Sequence, residues 1–339
     1  MAGIKELKTR IKSIGSTRKI TRAMQMVSAA KMRKAQNSAL SSRTYSSLAW
    51  ELISRLGKIK LHDTGEMEKD TSSLSDQDLK EFEAELMASK LMNVFPNATK
   101  TAVIMISTNK GMVGGFNTNL INKFQEIQAV DNSLEQVAEL LVMGKKVKDY
   151  AVRYNKHLVA DFPKSDNWTP IENIYPLAKM ATDLYLTGQY RQILIIYSHF
   201  VSTVTQIATI KRLLPFSEIT NFPTAPEKDD EGQPMDDGQQ IQIEERQDLP
   251  ESSTSEYLFE PSPETVLKHL VPRIVESQIY QAVLESDASE HSARMVMMKN
   301  ATEAAEELIS DYTLTYNQLR QNKITTELSE ITAGRIALE

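Results

Sequence analysis

MAGIKELKTRIKSIGSTRKITRAMQMVSAAKMRKAQ, residues 1–36, opens the chain and decides how the rest of it is read. No proline occurs between Gly3 and Gly57, and Gly15 is the only interior glycine there. Proline would remove a backbone donor and clash with the preceding turn, so its absence permits one helix of about 80 Å at ~1.5 Å per residue. Ile4, Leu7, Ile11 and Ile14 alternate spacings of three and four, the heptad pattern that lays apolar side chains along a single seam. After a phase break near Gly15, Ile20, Met24 and Val27 resume the stripe, while Ala23, Ala29, Ala30 and Ala35 are small enough for another helix to approach closely. A stripe this thin cannot stabilise an isolated helix; it requires a partner.

The other end of the chain supplies one. Beyond Pro272 there is no proline, and Gly334 is the only glycine, so residues 273–339 read as a second helix of about 100 Å. Its seam runs through Leu267, Leu270, Ile274, Leu284, Ala288, Met295, Met298, Ala305, Ile309, Tyr312, Tyr316 and Leu319, interrupted by Ser277, Gln281, His291 and Thr302. Pairing the two terminal helices buries both stripes, and because a domain separates them in sequence the pair is expected to be a long antiparallel coiled coil.

Between them the period changes. Residues 101–107 (TAVIMIS), 139–143, 158–162 and 192–198 (QILIIYS) are short, β-branched apolar runs, and 203–214 (TVTQIATIKRLL) is a further strand candidate. Helical patterns at 117–128, 145–154 and 174–186 alternate with them, which predicts an inserted, Rossmann-like α/β domain with a mainly parallel sheet over residues 100–215. The expected layout is a coiled-coil helix at 1–60, a polar insertion at 61–99, the α/β domain at 100–215, an acidic loop at 216–260 and the second coiled-coil helix at 261–339. The stretch 225–260 holds 12 acids against Lys228 and Arg246, the composition of a solvated loop.

With 339 residues, 41% of them hydrophobic, the chain can bury a sizeable core. It has no cysteine, which excludes disulfides, thiolate metal sites and a cysteine nucleophile. No apolar run approaches the roughly 18–20 residues needed to cross a bilayer, so membrane association is expected only through a partner. The net charge of −6 conceals an asymmetry: residues 1–60 hold 14 Lys or Arg against Glu6 and Glu51, a balance of +12 that leaves −18 for the remainder. A basic helix on an acidic protein predicts an acidic partner for that helix.

Residues 1–36 resemble, nearly position for position, the N-terminal helix of F-type ATP synthase gamma subunits. The turn STNKGMVGGFN (107–117), the segment EPSPETVLKHLVPRIVESQIYQAVLESDASEHSARMVMMKNAT (260–302) and the closing LSEITAGRIALE (328–339) are similar to further motifs of that family, in the family's order. The resemblance implies a central rotor shaft without a catalytic site of its own, one copy per complex. Its partners would be a hexameric head of alpha and beta subunits, an epsilon subunit and a membrane c-ring. No cofactor is expected on this chain; ATP, ADP and Mg belong to the alpha and beta partners. Rotation would couple proton flow to ATP synthesis or hydrolysis at beta-subunit sites. Because the chain begins directly with the family's helix, the expected location is the cytoplasmic face of a bacterial inner membrane, as a peripheral subunit.

Carried onto this sequence, the resemblance makes Arg18, Lys19, Arg22, Met24, Lys31, Arg33, Lys34, Gln321 and Thr325 contacts to beta subunits, and Leu328, Ile331, Ile336 and Leu338 an apolar tip in a bearing. Read without it, the cations solvate the outer face of a coiled coil, and Met24 fills a gap in the seam as flexible methionines do. Gly111, Gly114 and Gly115 lack the GxxxxGK[ST] order of a phosphate loop and fit a tight strand-to-helix turn. Two other functions compete. A nucleic-acid or anionic-membrane binder would use the basic helix, which lacks interleaved aromatics for stacking. A free α/β enzyme with a dimerisation arm would need a catalytic constellation, and none is legible.

Overall fold

The computed structural model describes residues 2–56, 90–95, 98–130, 138–166, 169–216 and 263–336. Most of the insertion expected at 61–99 and of the acidic loop at 216–260, and Leu338 of the expected tip, lie outside the described residues.

Helix α1 runs without interruption over Ala2–Leu56. Its less exposed positions include 4, 7, 11, 14, 18, 21, 25, 28, 32, 35 and 39, an unbroken alternation of three and four, flanked by half-buried 15, 24, 29, 31, 36 and 38. The phase break expected near Gly15 does not exist. The seam continues through Arg18, Thr21, Gln25 and Ser28, whereas Ile20 and Val27, expected to carry it, are 60% and 55% exposed. Helical geometry dictates the line here, and side chains that are polar or small occupy it.

The central domain begins with β1 (Lys100–Ile106), followed by α2 (Phe116–Val130), β2 (Ala138–Met143), α3 (Lys145–Arg153), β3 (Leu158–Phe162), α4 (Tyr175–Leu186), β4 (Tyr190–Phe200) and β5 (Gln206–Leu214). The sheet order is β3-β2-β1-β4-β5. β1 lies parallel to both neighbours, Ile104 standing opposite Leu141 on one side and Ile195 on the other. Only β5 is antiparallel, paired with β4 through Ile196 and Ile210. A parallel strand covered on both faces is apolar throughout, and from Thr101 to Ile106 β1 is completely buried. One face packs Leu120 and Phe124 of α2 with Val147 and Ala151 of α3; the other packs Leu177, Ala181 and Tyr185 of α4 with Val275, Ile279 and Val283 of the last helix. Fully burying each valine, leucine, isoleucine or phenylalanine among these contributes about 1.5–3 kcal/mol.

That last helix, α5, spans Pro263–Ile336 and passes through Pro272. The layout expected a helix over 261–339, and the proline-free run alone began at Arg273; the helix starts at Pro263 and does not stop at the proline. Proline inside a helix forfeits one backbone bond and costs about 3 kcal/mol, but Val271, Ile274 and Val275 around it are buried, and that packing carries the helix across. Much of the expected α5 seam is buried, at 274, 277, 284, 288, 291, 298, 302 and 305, but Leu319 is 40% exposed. From 282 to 294 every residue is buried, so the helix is enclosed there on all faces rather than along one stripe. α1 and α5 lie side by side and run in opposite directions, Thr21 meeting Thr302, Arg18 meeting Glu306 and Arg10 meeting Tyr312. No helix among the described residues is long and apolar enough to cross a membrane.

Candidate functional site

Thr21 in the α1 seam faces Thr302, one of the residues that interrupt the α5 seam. Thr21 and Thr302 share a hydrogen bond of 2.8 Å between their Oγ1 atoms, and Arg18 Nη1 lies 3.7 Å from Glu306 Oε1 beside it. Arg18 is thus half-buried against α5, and Met24 is half-buried along the same flank. Lys31 turns inward, donating from Nζ to the Asp166 carbonyl at 2.9 Å in the loop after β3. Lys19, Arg22, Arg33 and Lys34 are exposed.

Lys19 and Arg33 belong to a longer row. Lys5, Lys12, Lys19, Met26, Arg33 and Leu40 recur every seven residues on one exposed line of α1, steps of about 10 Å along the helix. Four of these six are cations, and their recurrence was the signal available in the sequence, which counting apolar residues alone passes over.

The far end of α5 stands apart. Continuing the pairing of Thr21 with Thr302 places Ala2 beside Gln321, so residues 322–336 lie beyond the described part of α1. From Asn317 to Ala333 every residue but Lys323 is exposed, Gln321 and Thr325 included. Leu319, Ile324, Leu328 and Ile331 are 40%, 48%, 60% and 70% exposed, rising toward the tip. Ile336 closes the helix.

A family model described as ATP synthase matches residues 3–338. The chain is 35% identical over 338 residues to the ATP synthase gamma chain of Roseiflexus castenholzii, covering 100% of this chain and 99% of that one. This chain belongs to the ATP synthase gamma-chain family. Another member, the ATP synthase gamma chain of Moorella thermoacetica, is 33% identical over 339 residues, with 100% of both chains covered. The fold is shared with a chain of the Euglena gracilis mitochondrial ATP synthase solved as its OSCP/F1/c-ring assembly, at a TM-score of 0.59, 19% identity, 99% coverage of this chain and 95% of that one. A chain of the rotor from the same organism's mitochondrial ATP synthase gives 0.54 at 16% identity, covering 95% of this chain and 99% of that one.

In this gamma-chain family member the helix pair and the sheet meet at a buried charged junction. Lys164, in the loop after β3, is 2% exposed at its side chain, with Nζ 3.0 Å from Asp287 Oδ1 and 2.8 Å from Glu290 Oε2 on α5. Arg294 Nη2 donates to the other Glu290 oxygen at 2.9 Å. Burial works against the Lys164 charge, but Asp287 and Glu290 outweigh it and hold its pKa above the usual lysine value. Burial likewise raises Glu290, yet Lys164 and Arg294 prevail and keep its carboxyl below the ordinary range. Nearby, His199 Nδ1 lies 2.6 Å from Glu285 Oε2, Ser289 Oγ donates to the Ser198 carbonyl at 3.0 Å and Ser292 Oγ to that of Thr203 at 2.7 Å. Sequence patterning did not single out these residues, since a lone loop lysine carries no period.

The glycine turn after β1 belongs to the same junction. Gly114 takes φ +58°, and a Cβ there would come 3.2 Å from Met297 Sδ on α5, so the residue both makes the turn and admits the helix. Gly115 packs near Asn119, and Gly111 has open space around it. Among the described residues no group of three or more His, Asp or Glu side chains is placed to hold a metal ion.

Proposed function

We propose that the chain is the central-stalk shaft of an F-type ATP synthase. α1 and α5 form its antiparallel coiled coil and the Rossmann-like α/β domain its foot. The shaft has no catalytic site; ATP, ADP and Mg are bound by a hexameric ring of alpha and beta subunits around the upper coil. The foot stands with an epsilon subunit on a c-ring, one shaft per complex, peripheral to the cytoplasmic face of a bacterial inner membrane.

The observation that carries this reading is the unpaired end of α5. A helix of about 15 residues is marginal in water without a packed face. Here it projects beyond α1 with its apolar side chains increasingly exposed. Such an end needs an enclosing partner, and the central hollow of a ring supplies one on all sides. Leu328 and Ile331 make dispersion contacts, which lack the angular demands of hydrogen bonds and therefore oppose rotation little.

The shaft changes its partners only by interacting differently with each. Lys19, Arg22 and Arg33 lie on α1 alone, so the cross-section is lopsided: at any angle one beta subunit meets cations while another meets the flank of α5. That difference in interaction free energy biases each site toward a different conformation, and rotation carries the bias around the ring. Proton flow through the membrane sector drives the rotation when ATP is made.

Co-expression with the alpha and beta subunits of the same organism, followed by cryo-electron microscopy and assays of ATP-driven proton pumping, tests the proposal. The expected result is a ring with residues 317–336 inside its hollow, and no ATP hydrolysis by the purified chain alone. A chain that hydrolysed ATP through its own residues, or whose terminal helices rested outside the head, would falsify it.

A further inference from the structure

We propose that Lys164 is a positioning residue that fixes the register of α5 on the sheet, and that this latch is the point at which torque passes between the α/β domain and the helix pair. The second half of this inference rests on the shaft reading; the first does not.

The latch is a closed set of two cations and two carboxylates. Lys164 bridges Asp287 and Glu290, Arg294 takes the remaining Glu290 oxygen, and Thr169 Oγ1 reaches Asp287 Oδ2 at 3.4 Å. Asp287, Glu290 and Arg294 are three and four residues apart and so share one face of α5. The loop that carries Lys164 is itself gripped from two directions. Asn109, after β1, donates from Nδ2 to the Lys164 carbonyl at 2.8 Å and to Asp166 Oδ1 at 2.9 Å, while Lys110 pairs with Asp166 at 2.6 Å and Lys31 of α1 holds the Asp166 carbonyl at 2.9 Å. Sheet, α1 and α5 thus meet at residues 163–166 of the loop after β3.

Besides this set, α5 reaches β4 and the turn after it through Ser289, Ser292 and Glu285, single contacts whose loss in a slip would cost less than that of a buried ion set. The apolar contacts of α5 with the sheet cannot do this work. Val275, Ile279 and Val283 repeat at helical spacing, so a helix displaced by one turn, about 5.4 Å, again presents apolar side chains to the same surface. The ionic set is satisfied in one register only. A one-turn slip would leave a buried ammonium without its carboxylates, and an unpaired buried charge is far less tolerable than a buried pair. Buried ion sets contribute little to net stability compared with apolar replacements; holding a register is their best-attested role.

The chain has no native cysteine, so paired cysteines introduced at Glu172 and Glu303 can be spin-labelled cleanly in the full chain. Electron–electron distance measurement is expected to give one narrow distribution for the native background and for Lys164→Arg, and a broadened one, or one displaced by about 5 Å, for Lys164→Met. A fourfold variant, Lys164→Met, Asp287→Leu, Glu290→Met and Arg294→Met, leaves no charge of the set unpaired; it is expected to melt within a few degrees of native and still lose the narrow distance. In the assembled complex, Lys164→Met is expected to lower protons pumped per ATP hydrolysed at least twofold, with Lys164→Arg restoring the ratio. Native distance distributions in both the Met and the fourfold variants overturn the latch. Altered distances with an unchanged pumping ratio overturn its role in torque. Failure of the native chain to assemble with alpha and beta subunits refutes the shaft reading instead and leaves the register measurement intact.

Discussion

Thr21 and Thr302 meet across the two long helices with their hydroxyls 2.8 Å apart, and each also reaches a carbonyl of its own helix, Arg18 at 3.0 Å and Met298 at 2.7 Å. Two hydroxyl protons serve three contacts, so one threonine donates across the seam while the other donates to its own backbone. Thr302→Val or Thr21→Val alone removes the cross-helix bond and should lower stability by about 1 kcal/mol. The double valine variant places two methyl groups face to face and should recover most of that loss. A thermal-unfolding double-mutant cycle gives the answer, and simply additive single losses would mean that the two hydroxyls are not coupled.

Gly114 and Gly144 both hold positive φ, and each is closely approached. A Cβ on Gly114 meets Met297 Sδ, and one on Gly144 meets the Ser107 carbonyl at the start of α3. Gly114→Ala should destabilise by about 1–2 kcal/mol, because the left-handed backbone is strained for alanine even if the flexible methionine yields. Gly144→Ala should cost more, since backbone must move. Gly111→Ala, with open space around it, should fall within about 0.5 kcal/mol of native. Urea unfolding of the three variants would rank them, and a Gly111 loss equal to that at Gly114 would contradict the assignment.

His291 sits buried in the α5 seam, and burial first, then the nearby Arg294, Lys164 and Lys31, push its pKa from 6.5 down to about 4, with Glu290 opposing. Between those two values the unfolded chain binds the proton and the folded chain does not, so stability rises with pH across this window and falls on acidification from neutral. The loss at pH 5 relative to pH 7 should be on the order of 2 kcal/mol for this residue. His291→Gln should flatten the slope between pH 4.5 and 6.5, measured by urea unfolding. An unchanged slope would place the proton elsewhere.

Lys19 and Arg33 stand two heptads apart on the exposed row of α1. Reversing both to glutamate should leave the melting temperature nearly unchanged, because exposed charges away from partners contribute within about 0.5 kcal/mol. In the assembled complex the same change should reduce ATP-driven proton pumping severalfold and weaken its dependence on salt. Equal losses of pumping and of helix stability would instead put these cations in the fold.

How much of this was legible in the sequence differs between the two helices. The α5 seam could be followed because Ile274, Leu284, Ala288, Met298 and Ala305 are apolar or small at heptad spacing, and all are buried. The α1 seam failed at Gly15 because hydrophobicity pointed to Ile20 and Val27, one position off the line, while the line itself carries Arg18, Thr21, Gln25 and Ser28. Of these, Thr21 and Arg18 make sense opposite Thr302 and Glu306, a pairing that no single-helix pattern contains. The sheet strands were readable from β-branched runs, but the antiparallel direction of β5 was not, since period says nothing of direction. Lys164 was invisible for the same reason as the α1 seam: its partners are more than a hundred residues away. The periodic Asp287, Glu290 and Arg294 within a buried stretch were the trace it left.

The ending of α1 near Gln321 has a mechanical consequence. Two helices side by side resist bending and twisting far more than one, because stiffness climbs steeply with the width of a rod. In the shaft proposed above, the stretch below that point is double and stiff, and above it about 22 Å of single helix is a slender, compliant neck. On that reading, angular strain under load would collect in the thin end, and the tip would lag behind the base and recoil.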